Sequence, residues 1–397
     1  MQQDPEKPGI WLINLNEFKR AKAKSTFIHP TTNDSTSIDF EAEIFRLNAD
    51  LVQTRRKLRE AFKRLALQDR ITETLRDGMK VLPVAPYVPI QTVDRTVEME
   101  HSVLLFGDPH IGEDVSFEQV GGINNYNFGE FVRRLQFLAD TIIKLKRTHL
   151  KNYNLPKLWI LGLGDFVCGT IHNELIESSH TTVMEWCLGG ATVISQFIRD
   201  MAANFEEVEF VGVVGNHGRM TKEIRYKNQY VNWDHVLYQM LTLALKDQSN
   251  VKFDLPKCFY RVREINGHKF LILHGDNIRG WAGIPWYGID RAVHRLSELL
   301  ASQGEFFEYV AMGHFHNTAF LDRVKGEKII NGSFIGGNEY SLGKMFTSAE
   351  PKQVFMGIHK RVGVSWRFPI NLKFVNIGKE DIRYQYNADL TLGEQSV

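Results

Sequence analysis

The chain has 397 residues, 43% of them hydrophobic and 24% charged, enough to bury one large core and still leave an extension. A formal net charge of +1 excludes the basic balance of a dedicated duplex-DNA binder, so nucleic-acid binding would have to come from local patches or bound metals. Cys168, Cys187 and Cys258 have no paired spacing, which excludes a disulfide framework, and no apolar stretch approaches a membrane span or a signal segment; the expected location is the cytoplasm, with no membrane partner.

Residues 1–36 are polar and rich in turn formers, with Ile10 to Ile13 as a short strand or a docking segment. From there Phe40, Ile44, Leu47, Leu51, Thr54, Leu58, Ala61 and Leu65 recur at alternating spacings of four and three, which predicts a long amphipathic helix over about 38–77. Its stripe needs an apolar cover, either the catalytic domain or a second copy of the chain in a homodimer. Arg55, Arg56, Lys57, Arg59, Lys63 and Arg64 cluster on the same helix, as a solvated face or as a contact for a phosphate backbone. Gly78 ends it, and Pro83, Pro86 and Pro89 mark an extended linker to about Glu98.

Beyond the linker, apolar runs at Val103–Phe106, Leu158–Leu163, Val208–Val214, Phe270–Leu273 and Tyr309–Met312 read as buried strands. Helical spacing over Phe128–Leu150 (with Asn127 as cap), Thr181–Phe205, Tyr230–Lys246 and Tyr287–Ser302 alternates with them. Two hairpins are expected, Phe259–Glu264 with Lys269–Leu273 across Asn266-Gly267, and Gln353–His359 with Gly363–Phe368 across Lys360-Arg361. The predicted architecture is α/β, a four-layer α/β/β/α sandwich of two mixed sheets. Its expected parts are an N-terminal extension over 1–98, a catalytic domain over 99–373 and a C-terminal tail over 374–397.

Each of the five apolar runs is followed by metal-binding side chains: Gly107-Asp108-Pro109-His110, Gly164-Asp165, Gly215-Asn216-His217, His274-Gly275-Asp276 and Gly313-His314-Phe315-His316. Loops beyond the carboxyl ends of strands converge on one crevice, so these groups are expected to meet. Oxygen and imidazole ligands without thiolates suit hard or borderline divalent ions such as Mn, Fe, Zn or Ni.

The order D-x-H, G-D, G-N-H, H, G-H-x-H resembles the calcineurin-like metallophosphoesterases. That resemblance implies that Asp108, His110, Asp165 and His316 bind one metal, and that Asp165, Asn216, His274 and His314 bind the other, with Asp165 bridging. It also implies hydrolysis of phosphoesters by a hydroxide held between two divalent ions, with Mn as the expected metal, and His217 protonating the leaving oxygen. Two departures stand out. The family follows that histidine with Asp or Glu, whereas Gly218 and Arg219 stand here; another carboxylate would have to reach His217, or His217 would act as a hydrogen-bond donor to phosphate, with Arg219 as a compensating phosphate contact. Gly164-Asp165-Phe166-Val167-Cys168 also lacks the second Asp of many relatives, which bears on support of the metal site.

The segments from His274 to Arg291 and from Asn331 to Tyr340 are similar to those of phage-encoded members related to the nuclease subunit of bacterial recombination-repair complexes. That similarity narrows the class toward a nuclease acting on DNA without carrying the identity of the substrate, and leaves open an ATPase partner that gates access. Asn216 doubles as a substrate contact, Trp281 either stacks on a base or packs under its loop, and His172 either reaches substrate or lies in a solvated loop. A small-nucleotide phosphodiesterase, a phosphoprotein phosphatase and a non-catalytic scaffold subunit are the competing readings.

Overall fold

The computed structural model describes residues 2–3, 11–12, 46–56, 59, 79, 81–88, 97–169, 182–221, 223–224, 226–278, 285–375, 377–378 and 381–386. The chain forms two compact units, Met1–Arg70 and Ile71–Val397. In the first, Gln2–Gln3 pairs antiparallel with Trp11–Leu12, and residues 46–56 and 59 are helical. Leu47 and Leu51 of the predicted stripe are exposed there, while Phe40, Ile44, Leu58, Ala61 and Leu65 lie outside the described residues.

The second unit is built on two mixed sheets. Strands β1 (Met99–Phe106), β2 (Asn154–Gly162), β3 (Glu207–Gly212) and β4 (Val251–Asp254) run parallel in sequence order. On the far side of β1, β10 (Lys352–His359) and β11 (Gly363–Asn371) complete a six-stranded sheet by antiparallel pairing. The five-stranded sheet has the order β8 (Ala319–Asp322), β9 (Glu327–Ile330), β7 (Tyr309–Met312), β6 (His268–Leu273), β5 (Tyr260–Ile265), with β9, β7 and β6 parallel and both edges antiparallel. The helices are α1 (Phe128–Arg147), α2 (Val183–Asn204), α3 (Trp233–Ala244), α4 (Trp286–Ala301) and the short α5 (Glu339–Met345).

The twofold alternation of side chains along a strand sorts the core into three layers. Val103 and Leu105 of β1 meet Trp159 and Leu161 of β2 and, from the other sheet, Phe270, Ile272 and Ala311, so these residues fill the space between sheets. Leu104 and Phe106 point the opposite way, into the layer formed with α1, α2 and α3. Leu271, Leu273, Val310, Met312 and Ile330 face Ile289, Val293 and Leu300 of α4. The architecture is therefore α/β/β/α, as the patterning predicts, and strands buried on both faces explain why the central runs read as continuously apolar rather than alternating.

Local signals explain most of the boundaries. Asn127 caps α1 by accepting from the Glu130 amide at 2.9 Å, and Thr182 with Glu185 forms a capping box on α2. Asn266 (φ 49°) and Gly267 (φ 86°) supply the two left-handed residues of the β5–β6 hairpin. The link from β10 to β11 is three residues, 360–362, one longer than expected, and a register shift at Gly357/Ile358 accompanies it. Three short strands, β4, β8 and β9, and helix α5 have no counterpart in the expected elements.

Both flanks of the segment 99–373 pack onto it. The Leu82 amide donates to the Ala244 carbonyl and the Val88 amide to the Ala203 carbonyl, each at 3.1 Å. Beyond β11, the described residues up to 386 add no strand; they lie against α1 and α2, with Tyr384 buried, its hydroxyl 2.9 Å from Asp200, and Arg383 paired with Asp140 and Asp200. No helix among the described residues is long and apolar enough to cross a membrane.

Candidate metal centre

β1, β2 and β3 of one sheet and β6 and β7 of the other each release their chain into one of the five motif loops. Of the eight non-glycine residues with positive φ among the described residues, five are Asp108 (54°), His110 (48°), Asp165 (53°), His314 (69°) and His316 (57°). Left-handed backbone costs about 1–3 kcal/mol at such residues and persists only where the surroundings impose it, so these loops are bent at the very side chains they present. The surroundings here are other motif loops. The Asp108 amide donates to the Gly164 carbonyl at 3.1 Å, the His110 amide to the Asp165 carbonyl at 3.0 Å, and the Gly313 amide to the His274 carbonyl at 3.0 Å.

The side chains converge in two groups whose donor atoms lie within 4.8 Å of one another: Asp108 with His110 and His316, and Asp165 with His274 and His314. His110 Nε2 is 3.2 Å from His316 Nε2, and His316 Nε2 is 3.4 Å from Asp108 Oδ1. In the second group His274 Nε2 is 3.0 Å from Asp165 Oδ2 and 3.1 Å from Asn216 Oδ1. The same Asp165 Oδ2 is 4.0 Å from His110 Nε2, so this carboxylate stands between the groups. Its other oxygen accepts from the His217 amide at 2.7 Å, and both oxygens of Asp108 accept from the His314 amide, at 3.1 and 3.2 Å, which ties a loop of one sheet to a ligand of the other.

Partners behind the imidazoles set their orientation. His274 Nδ1 donates to the Leu163 carbonyl at 2.7 Å, and His110 Nδ1 pairs with Glu113 at 3.1 Å; each therefore turns Nε2 toward the carboxylates. Burial opposes a charge on His110, but Glu113, Asp165 and Asp108 raise it to about 9. Burial likewise opposes a charge on His274, yet Asp165, Asp108 and Asp276 raise it to about 10. His314 goes the other way, to about 3, through burial and the charge of His274. Against burial, the histidines hold Asp165 well below the usual carboxylate range and lower Asp108. A largely buried pocket with two ionised carboxylates that draws protons onto His110 and His274 attracts cations, and two groups of oxygen and imidazole donors without sulfur fit a pair of divalent ions.

The remaining predicted residues are placed as follows. His217 is half-buried, its ring edge-on to His110 with centroids 4.4 Å apart and Nδ1 3.9 Å from Cys168 Sγ. Arg219 donates from Nε to the Asn216 carbonyl at 3.0 Å and pairs with Asn232 in an isolated bridge, so part of its donor capacity holds the loop. His172 and Trp281 lie outside the described residues. In the segment 331–340, the Phe334 amide donates to the Asp108 carbonyl at 3.1 Å and the buried Asn331 bonds to the Leu105 carbonyl and to Gln353. This stretch backs the first ligand loop.

Four supporting residues escape the motif reading. Asp234, in the first turn of α3 and fully buried, accepts from the amides of Asp165 (2.9 Å), Phe166 (2.9 Å), Val167 (3.1 Å) and Gly215 (2.8 Å). It thus fastens two ligand loops to one carboxylate, and burial with the charge of Asp165 raises it to about 6. Asn232 caps the same helix and donates to the Gly215 carbonyl at 2.7 Å. Glu113 accepts from Asn338 Nδ2 as well as pairing with His110, and Asn338 in turn caps α5. For Glu113, the spacing of three from His110 was the available signal; for Asp234, Asn232 and Asn338 only their places at helix starts were.

No protein-family model matches the chain, and no curated protein matches it. Among solved structures, Vacuolar Protein Sorting 29 from Cryptosporidium parvum is similar over 69% of this chain and 100% of its own, at 13% identity and a TM-score of 0.30. A novel archaeal phosphodiesterase covers 68% and 99% at 11% identity with a TM-score of 0.29. A predicted phosphoesterase from Streptococcus pneumoniae covers 68% and 98% at 10% identity with a TM-score of 0.26. Overlaps this low assign no activity.

Proposed function

We propose that the chain is a dinuclear metal-dependent phosphodiesterase and that its substrate is DNA. The observation that carries the enzymatic reading is the sharing of Asp165 between two largely buried Asp/His groups drawn from four strand ends. Asp108, His110, Asp165 and His316 would hold one ion and Asp165, Asn216, His274 and His314 the other. When bound, the two ions supply a nucleophile at neutral pH and neutralise charge on the phosphoryl oxygens. Two divalent ions against two carboxylate ligands leave about two positive charges in excess, which selects an anionic phosphate over a neutral ester.

The chain's own residues do the rest. Asp165 fixes the position of His217 through its amide, and the half-buried ring stands beside His110 where it can donate a hydrogen bond to a phosphate or leaving oxygen. Glu113 is the nearest candidate for the missing carboxylate's role: against burial, its bond to His110 and the charge of His110 lower its pKa most, and the charge of His217 adds to that. Arg219, anchored by Nε, keeps its terminal nitrogens for substrate. The choice of DNA among phosphodiesters rests on the class that the segments 274–291 and 331–340 resemble, phage-encoded members related to a nuclease subunit.

The test is hydrolysis of labelled single- and double-stranded DNA beside a panel of cyclic nucleotides, after chelation and Mn readdition. Cleaved DNA supports the nuclease reading. Cyclic-nucleotide turnover with intact DNA would replace it with a small-nucleotide phosphodiesterase, and silence on both would favour a scaffold.

A further inference from the structure

Behind the His110 ring lies a second constellation, which shares His110 with the two-ion groups and adds the thiol of Cys168 that they do not use. His110, Cys168 and His217 bring donor atoms within 4.8 Å of one another, all buried or half-buried. The contacts name the atoms. Cys168 Sγ is 3.4 Å from His110 Nδ1, 3.4 Å from Glu113 Oε2 and 3.9 Å from His217 Nδ1, while His110 Nδ1 is 3.1 Å from Glu113 Oε2.

A tetrahedral zinc ion takes nitrogen at about 2.0–2.1 Å, carboxylate oxygen at about 2.0–2.2 Å and sulfur at about 2.3 Å, so neighbouring donors lie roughly 3.3–3.6 Å apart. Three of these four distances fall within a few tenths of an ångström of that range, and the fourth needs a small inward turn of His217. The donor chemistry is distinct from that of the adjoining pair of groups. They offer only oxygen and imidazole nitrogen, whereas a thiolate selects thiophilic ions such as zinc over manganese.

We propose that Cys168, His110 Nδ1, His217 Nδ1 and Glu113 Oε2 form a third, inhibitory metal site that takes zinc. His110 would serve both sides, Nε2 toward Asp165 and His316 and Nδ1 toward the new ion. On binding, the thiol proton of Cys168 and the remaining ring proton of His110 pass to solvent, and no redox change occurs. The ion fixes His217 from behind and withdraws it from substrate. Binding rests on the geometry alone; its inhibitory consequence rests on the phosphodiesterase reading above.

Cobalt titration of the whole chain, followed optically, tests the site without any turnover. A third equivalent of cobalt should bring a thiolate-to-metal charge-transfer band that Cys168→Ser lacks, with third-ion affinity in that variant falling by at least about tenfold. Saturation at two equivalents with no thiolate band in the unaltered chain would overturn the site, whatever becomes of the variant's folding. In the second arm, zinc added to the Mn-loaded chain should lower phosphodiester hydrolysis to about the rate of His217→Ala, while Cys168→Ser, whose basal rate matches that of the unaltered chain, resists it. Equal zinc inhibition of both would overturn the inhibitory role. A chain that binds the third cobalt but hydrolyses nothing would count against the phosphodiesterase reading and leave the site standing.

Discussion

Gly215→Ala puts a methyl group against the one carboxylate that both ion groups share. A Cβ built on Gly215 would lie 2.7 Å from Asp165 Cγ, and nearer still to Asp165 Oδ1 and the Asp165 amide nitrogen. Ordinary contact begins at 3.4 Å, so the carboxyl group has to retreat by 3.4 minus 2.7, at least 0.7 Å. It has little room to do so, because Asp234 holds the amides of both Asp165 and Gly215 and Asp165 itself accepts from the His217 amide. Overpacking of this kind costs about 1–3 kcal/mol of stability. The functional loss should be larger in proportion, since a displacement near 1 Å in a catalytic group lowers rates by about 100-fold. The assay is metal content by elemental analysis, initial rate on a chromogenic phosphodiester and the urea midpoint. Gly343→Ala is the control: nothing lies within 4 Å of a Cβ there, the site is an exposed helical one, and about 1 kcal/mol of added stability is expected. Gly215→Ala protein that keeps both ions and the full rate would refute the packing argument.

Loading the ions should release protons. Near pH 7.5 the metal-free chain carries protons on His110 (about 9) and His274 (about 10) but not on His314 (about 3), so calorimetry in buffers of different ionisation enthalpy should find up to two protons released and none from His314. The sign for stability follows: both raised groups contribute fully below the ordinary histidine value of 6.5 and lose that contribution as pH rises through 9 to 10, so the metal-free fold should weaken over that window and the loaded fold should not. A buffer-independent heat would contradict the proton assignment. Glu113→Gln should lower metal retention by about tenfold, because His110 loses the carboxylate that orients it at 3.1 Å; retention equal to that of the parent chain would show that His110 needs no such support. Phe106→Ala should cost about 3–5 kcal/mol in the urea midpoint, since its ring sits among Phe166, Phe197 and Phe334 at 4.9–5.8 Å beneath the ligand loops.

The ligand loops are legible because each follows an apolar run of the length and composition of a buried strand, and the helix starts at Asn127 and Thr182 because they carry their caps in the local sequence. What local sequence cannot express is pairing between distant segments. Asp234 reaches amides 19 to 69 residues away, and nothing around Asn232-Trp233-Asp234 distinguishes such a residue from an ordinary helix cap. The strands Val251–Asp254, Ala319–Asp322 and Glu327–Ile330 have only four residues each, too few to show a period. Glu113 shows the opposite case: the missing acid after His217 is visible as a gap, and the carboxylate that pairs with the adjoining His110 and Cys168 comes from the first ligand loop.

The most direct test of two-ion hydrolysis is the rate on bis-p-nitrophenyl phosphate after chelation and Mn readdition, with Asp165→Asn and His217→Ala in parallel. The shared position of Asp165 predicts Mn-restored turnover that nearly vanishes in Asp165→Asn and falls much less in His217→Ala. Equal, small losses in the two variants, or turnover that survives chelation, would contradict it.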